Sequence, residues 1–389
     1  MTVPLQTHEE TQYRLLHAAA MMSLFCVGLY AAAFGPALEF IADDMGVSLD
    51  TAGLVLSVFF IGSISASATI AVALHARDTR ILTACGLLAV IGGMLFVGFA
   101  PWFPLVLAGG VMTGLGDGLI VAALHILMSM TSRNVPSAIN RLNLFFAYGA
   151  VAGPLWAGAV LATAGERWIV FAGIAGAAAA SLAVLLTASA PIHERIPAEG
   201  ESFRLPGNPT AWVMGLVLFL YVGAEFGLGA WVSAYVRESA DAGVFRAALL
   251  TAGYWAALMC GRLISGAYFA RGRDSVTLLA VAVAGAMVAS AVLALTTGNL
   301  FASAVAAFGA GLFLGPVWPS VLAVATEANE AHATAATVTM GNAGGVLIPW
   351  LQGRVLVDAG PTAGVVVTAV LCGLMLAVIM AFRAQRRLA

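Results

Sequence analysis

Twelve runs of about twenty apolar residues, divided by short polar breaks, limit this chain more than any single residue does. A helix rises about 1.5 Å per residue and the hydrocarbon core of a bilayer is about 30 Å thick, so a run of roughly twenty apolar residues is long enough to cross it. Segments near 15–38, 51–74, 80–99, 104–130, 138–163 and 168–189 meet that condition, and a second set lies near 210–236, 245–269, 276–297, 300–326, 332–357 and 361–382. Lipid offers the backbone no hydrogen-bond partners, so each run must bond internally as a helix. The expectation is an all-α membrane protein with twelve transmembrane helices in two six-helix halves.

Charge points the same way. Only 9% of the 389 residues are charged, against roughly 25% in soluble domains. A formal net charge of -2 leaves no basic field to hold nucleic acid. Cys26, Cys85, Cys260 and Cys372 each sit inside an apolar run and read as small buried hydrophobes, with no disulfide framework. The six histidines lack the spacing of a metal site, so neither a metal nor another cofactor is expected. About fourteen polar residues precede the first apolar run, which is therefore expected to remain as a spanning helix and not to be removed as a signal peptide.

The one long polar stretch is APIHERIPAEGESFRLPGNP, residues 190–209, rich in proline, glycine and charge. It reads as a linker between a first half, 1–189, and a second half, 210–389. All 17 basic residues are arginine. Arg14, Arg77, Arg80, Arg133, Arg141, Arg195, Arg204, Arg271, Arg273, Arg383, Arg386 and Arg387 fall on one side of the membrane if the termini share it, against Arg167, Arg237, Arg246 and Arg354 on the other. Cytoplasmic loops of membrane proteins are enriched in basic residues, so both termini are expected in the cytoplasm. After the second span the chain reads HARDTR (75–80), and after the eighth YFARGRDS (268–275). The echo is compatible with duplication of a six-helix unit, although loops between spans collect arginine in any case.

Ionisable residues inside spans need a reason to be there, because a charge near the bilayer centre costs several kcal/mol unless it is paired, protonated or facing a watery cavity. Glu225 lies near the middle of the seventh span, among Gly223, Gly227 and Gly229. It reads either as a proton-exchanging group or as a member of a structural hydrogen-bond network. Asp117 and His125 are eight residues apart in the fourth span, a little over two turns, and share a face. Histidine titrates near pH ~6.5 and burial favours the neutral form of a carboxylic acid, so both are candidates for proton exchange. An outer-gate role for Asp117 and a packing role for His125 are the rival readings.

Polar and aromatic residues in the same belt are candidates for solute contact: Tyr30, Asn143, Tyr221, Trp231, Tyr254, Trp318, Asn342 and Gln352. Ring faces stack on sugar C–H faces, and amides supply paired donors and acceptors. Tryptophan near a span end also serves as an interfacial anchor, the reading preferred for Trp102, Trp168 and Trp212.

Twelve spans, two halves, a charged central loop and the repeated turn together resemble the major facilitator superfamily of secondary transporters. That resemblance implies alternating access around a mid-membrane site, a monomer, and transport in place of enzymatic chemistry. GRLISGAYFARGRD (261–274) is similar to the family's loop motif after the second helix of each half, while the first half keeps only Arg77, Asp78 and Arg80. The implied role is a cytoplasmic gate involving Arg77, Asp78, Arg80, Arg262 and Arg271. Arg262, inside the eighth span, either takes part in that gate or reaches out to the interface.

Five segments resemble the fucose:galactose:proton symporter family: INRLNLFFAYGAVAGPL (139–155), YVGAEFGLGAWVSAYV (221–236), CGRLISGAYFARG (260–272), GLFLGPVWPSVLAVATE (311–327) and GGVLIPWLQG (344–353). A sugar or similar small polar solute follows from that likeness, carried across the cell inner (plasma) membrane with protons coupled through Glu225, Asp117 and His125. Two departures stand out. The first-span stretch VGLYAAAFGP (27–36) has no acid, and His125 stands where the sugar carriers often have asparagine. GAVAGPLWAG (149–158) also approaches a Gly-x-x-x-Gly-Pro pattern associated with drug antiporters, so proton-driven export is the alternative, and a non-transporting sensor is a third.

Overall fold

The computed structural model describes residues 3–73, 79–132, 134–188, 207–326 and 333–388, and all regular structure among them is helical. In chain order the segments are α1 (Val3–Met45), α2 (Leu49–Ala52), α3 (Leu54–Ala73), α4 (Thr79–Phe99), α5 (Phe103–Thr131), α6 (Val135–Thr163) and α7 (Arg167–Thr187). They continue as α8 (Pro209–Ala240), α9 (Val244–Phe269), α10 (Ser275–Ala294), α11 (Leu300–Leu314), α12 (Val317–Thr326), α13 (Ala333–Ala359) and α14 (Pro361–Leu388). The α2–α3 and α11–α12 pairs are single spans interrupted at Gly53 and at Gly315–Pro316, so the segments make twelve transmembrane helices.

Eleven of the twelve are long and apolar enough to cross a membrane. The other is α13, 27 residues long, whose apolar run is diluted by Asn342, Gln352, Arg354 and Asp358. Boundaries lie within a few residues of those expected, except that α1 runs on to Met45, α14 runs on to Leu388, and the start of α1 lies well before the apolar run. There α1 extends back to Val3 because Gln, Glu and Arg are good helix formers, and a polar helix can precede the apolar run. Side-chain caps fix four entries: Asn134 accepts from Ser137 N, Asn208 from Thr210 N, Asp274 from Thr277 N and Asn299 from Ala302 N. Except for its last three positions, the expected linker 190–209 lies outside the described residues, as do Arg77 and Asp78.

Packing divides the chain into two compact units. The first holds the described residues up to Ala31, Val58–Gly153, and Glu166 through the end of α7. The second holds Ala32–Ser57, Pro154–Gly165, and α8 to α14. In the first unit α1 and α6 cross with glycine against backbone, for a Cβ at Gly28 would overlap the Phe146 carbonyl and one at Gly149 the Phe25 carbonyl. Helices α3 and α5 meet in the same way, Gly62 against Val111 O and Gly114 against Phe59 O.

The second unit repeats the scheme. Gly344 lies against Phe219 O and Gly223 against the Ile348 side chain where α8 meets α13, and Gly311 and Gly261 lie against Tyr254 O and Leu312 O where α9 meets α11. First span with fifth and second with fourth thus correspond to seventh with eleventh and eighth with tenth. In lipid there is little hydrophobic drive between helices, so small residues that admit close dispersion contact do the joining.

One expectation needs correcting. Cys26 and Cys372 are buried, but Cys85 and Cys260 are exposed on their helices. Lying in an apolar run does not fix which face a residue occupies, because the outward face of a spanning helix is as apolar as the inward one.

Candidate functional site

In the second unit α8 carries Tyr221 and Glu225 one turn apart on one face. Glu225 is only 2% exposed, and Arg262 of α9 donates from Nη2 to its Oε1 at 2.8 Å. The Arg262 side chain keeps 26% of its surface accessible, so the pair is approached from the arginine side. Tyr254, next to the Gly311 contact of α9 with α11, donates its hydroxyl to the Glu225 main-chain carbonyl at 2.9 Å. Tyr221 is fully buried beside both charges, its ring 6.4 Å from that of Trp318. The Tyr221 hydroxyl and Arg262 Nε have no hydrogen-bond partner among the described residues.

The first unit presents a different carboxylate. On α5, Gly116 lies against the Gly86 carbonyl and Gly118 against the Ser63 carbonyl, which lets this helix press onto α4 and α3 around Asp117. Tyr30 of α1 donates to Asp117 Oδ1 at 2.8 Å and Ser63 of α3 to Oδ2 at 2.7 Å. Tyr30 is itself fully buried, with Phe59 edge-on at 6.0 Å. Both groups bonded to this carboxylate are neutral hydroxyls. His125, two turns along α5, bonds from Nδ1 to the Val121 carbonyl at 2.7 Å. That bond requires a proton on Nδ1.

Comparison with known proteins places this architecture. The sequence profile described as Major Facilitator Superfamily matches residues 20–349, most of the chain. The chain belongs to the major facilitator superfamily. Its fold is similar to that of a mutant of the nucleoside transporter NupG, with a TM-score of 0.75 at 12% identity over 95% of this chain and 99% of that one. It is similar also to a bacterial homologue of the human lysosomal transporter Spinster in an inward-facing and occupied conformation, with a TM-score of 0.74 at 16% identity over 96% of each chain. At these identities the likeness is one of fold. Among curated proteins, "Bypass of stop codon protein 6" of Saccharomyces cerevisiae is 29% identical over 187 residues, 45% of this chain and 37% of that relative's length. Family and fold together are those of a membrane transporter of small solutes.

The other residues marked out in this major facilitator protein occupy varied places. Trp231 is fully buried, donates to the Pro349 carbonyl at 2.6 Å and rests its ring on Gly353 and Gly53. Gln352 donates to Thr368 at 3.1 Å within the α13–α14 contact, and its Oε1 has no partner among the described residues. Asn143 is exposed on α6, while Asn342 on α13 and Trp318 on α12 are partly buried. Arg80 donates to the Ala188 carbonyl at 3.0 Å, and the exposed Arg271 to the Ala267 carbonyl at 2.8 Å. Arg262 turns inward to Glu225 and not to a helix end.

One member of these clusters, Ser63, was not foreseen from sequence, and Arg262 was expected at the gate or the interface and not as the partner of Glu225. Ser63 carried no signal, since a serine in an apolar run is common. Arg262 did carry one: a basic residue inside a span needs a partner, and Glu225 of the neighbouring helix is that partner.

Proposed function

We propose that this major facilitator protein is a proton-coupled carrier of a small, uncharged polar solute, a sugar or related metabolite, in the cell inner membrane with both termini in the cytoplasm. The observation that carries this reading is the setting of Asp117, a carboxylate deep in a span whose hydrogen-bond partners are the hydroxyls of Tyr30 and Ser63. An anion held by neutral donors in a low-dielectric environment is relieved by taking up one proton. Asp117 is therefore assigned the proton, and His125 on the same helix is a second group able to accept one. Glu225 and Arg262 cancel each other's charge, so the polar cluster they form with Tyr221 and Trp318 favours a neutral solute, with Asn342 of α13 assigned as a further contact; an added charge would stand without a counterpart. Solute and proton then bias one equilibrium between access to the two sides of the membrane. Arg77, Asp78, Arg80 and Arg271 are assigned to the cytoplasmic gate, and the working unit is a monomer.

The test uses proteoliposomes and radiolabelled galactose, fucose and glucose. Acidifying the outside by about one pH unit is expected to drive accumulation of at least one of them, and Asp117→Asn is expected to abolish that accumulation while counterflow exchange persists. Full gradient-driven uptake by Asp117→Asn would overturn the assignment. Accumulation under the reversed gradient would favour export, the reading that the Gly149–Pro154 segment of α6 supports.

A further inference from the structure

Helices α10 and α14 of the second unit pack against each other, and a Cβ at Gly373 would stand 3.6 Å from the Met287 sulfur. Each turns an apolar face outward. On α10, Val281, Val288 and Val292 are exposed and share one face with Thr277, at steps of four, seven and four residues. On α14, Leu374 and Met380 are exposed. Such faces are ordinary in a bilayer, but the charged end of this pair is not. Arg383 of α14 reaches Thr277 from Nη2 at 3.4 Å, longer than an ordinary hydrogen bond, and has no ion pair among the described residues. Asp274 feels the Arg383 charge but is engaged as the cap of α10, accepting from Thr277 N at 2.7 Å. Arg273, its neighbour in the chain, lies over the Tyr268 ring at 5.4 Å and is likewise without an ion pair among the described residues. At the matching end of the first unit, where α4 meets the end of α7, Arg80 donates to the Ala188 carbonyl at 3.0 Å, so that arginine serves a helix end.

We propose that this end of α10 and α14 binds an anionic phospholipid, its phosphate on Arg383 and Arg273 and one acyl chain along the face of Val281, Val288 and Val292. A guanidinium presents parallel donors that match two oxygens of a phosphate, and Thr277 sets a hydroxyl beside them. The ring under Arg273 holds that side chain by its face and leaves the edge donors open. The lengths agree with one leaflet. Val281 to Val292 is eleven residues, about 16 Å at the helical rise, against about 15 Å for half the hydrocarbon core. Thr277 lies one turn further out, at the level where a headgroup begins. Two arginines and one carboxylate leave a single positive charge, the complement of a headgroup with one net negative charge such as that of phosphatidylglycerol. In a zwitterionic lipid the ammonium cancels that charge. This inference is independent of the solute and of the coupling ion.

The test uses size-exclusion-purified protein stripped of lipid in detergent, with dioleoyl phosphatidylglycerol or dioleoyl phosphatidylcholine added and bound lipid counted by native mass spectrometry. A basic residue near the membrane surface contributes about fivefold to the affinity for an anionic lipid, so phosphatidylglycerol is expected to bind about 25-fold tighter than phosphatidylcholine. Arg383→Gln and Arg273→Gln are each expected to lower that preference about fivefold, and the double variant to bring the two lipids within about twofold of each other. Arg14→Gln, which removes an exposed arginine from the first unit, should leave the preference unchanged. Glycerol phosphate carries the same phosphate without acyl chains, and it is expected not to compete with phosphatidylglycerol. Equal binding of the two lipids by the unaltered protein, an undiminished preference in the double variant, or an equal loss in Arg14→Gln would overturn the site. Competition by glycerol phosphate would do so as well, by assigning the arginines to a free phosphate.

Discussion

Asp117 and Glu225 are two carboxylates set deep in spanning helices of the same chain, and their surroundings differ in one respect that divides their chemistry. Glu225 has a guanidinium at 2.8 Å, whereas the groups bonded to Asp117 are two hydroxyls. The paired acid has a guanidinium beside it to balance its charge, and giving it a proton leaves an arginine without a counter-ion. A proton at the hydroxyl-bound acid removes the only charge in its cluster. From sequence alone both were candidates for the same task. Their partners argue for separate ones, a proton carrier at Asp117 and a fixed polar surface at Glu225.

The strongest way to break this comparison is to remove the countercharge. Arg262→Met leaves Glu225 buried and unpaired, a change of the kind that typically destabilises by about 3–5 kcal/mol. The lower end is expected, because the arginine side chain keeps part of its surface open. Combining it with Glu225→Leu should recover most of the loss, since no charge remains. Thermal unfolding in detergent measures both, and equal stability of Arg262→Met and the double variant would show that the ion pair is not what holds Glu225.

Transport separates the two acids next. Glu225→Gln is expected to slow solute-driven exchange about tenfold while leaving the dependence on the pH gradient in place; Asp117→Asn should show the opposite pattern. Exchange and gradient-driven uptake measured on the same proteoliposomes give the ratio that decides. Identical ratios in the two variants would merge the roles that the partners divide.

Much of the fold was legible because the bilayer is a filter on length, and length is a one-dimensional property of sequence. Twelve spans and their approximate ends follow from it. Rotation about each helix does not, which is why Cys85 and Cys260 are exposed and why the hydrogen bonds of Trp231 to Pro349 and of Gln352 to Thr368 were not foreseen. The site was legible in its charged members, since Asp117, Glu225 and Arg262 are conspicuous inside apolar runs. Their pairing was not, because it depends on which helix stands beside which. The glycine contacts of α8 with α13 and of α9 with α11 settle that question only once the chain is folded.

A smaller effect tests the hydroxyl side. Tyr30→Phe and Ser63→Ala each remove one donor to Asp117, and a hydrogen bond to a charged group contributes about 1.5–3 kcal/mol against about 1 kcal/mol for a neutral one. If Asp117 rests protonated, each variant should cost near 1 kcal/mol in stability at neutral pH, and the two costs should be alike. A loss nearer 3 kcal/mol in either would mean that the acid rests ionised and that its hydroxyls carry the burden Arg262 carries for Glu225.

Tyr221→Phe is expected to have the smallest effect of all, and its sign is what informs. The Tyr221 hydroxyl is buried beside Glu225 and Arg262 without a hydrogen bond, so the resting protein already bears the cost of desolvating it. Removing that oxygen should leave stability unchanged or raise it by up to about 0.5 kcal/mol, since replacing an unsatisfied polar group by an apolar one of the same shape removes a penalty. The same substitution should weaken exchange of a neutral solute several-fold, because the hydroxyl is then missing when a solute oxygen comes within its reach. A stability loss of more than about 1 kcal/mol would place a permanent partner on the hydroxyl, and unimpaired exchange would take Tyr221 out of the solute site. Either result would leave Glu225 and Arg262 as a structural brace and put the weight of transport on Asp117 and His125 of α5.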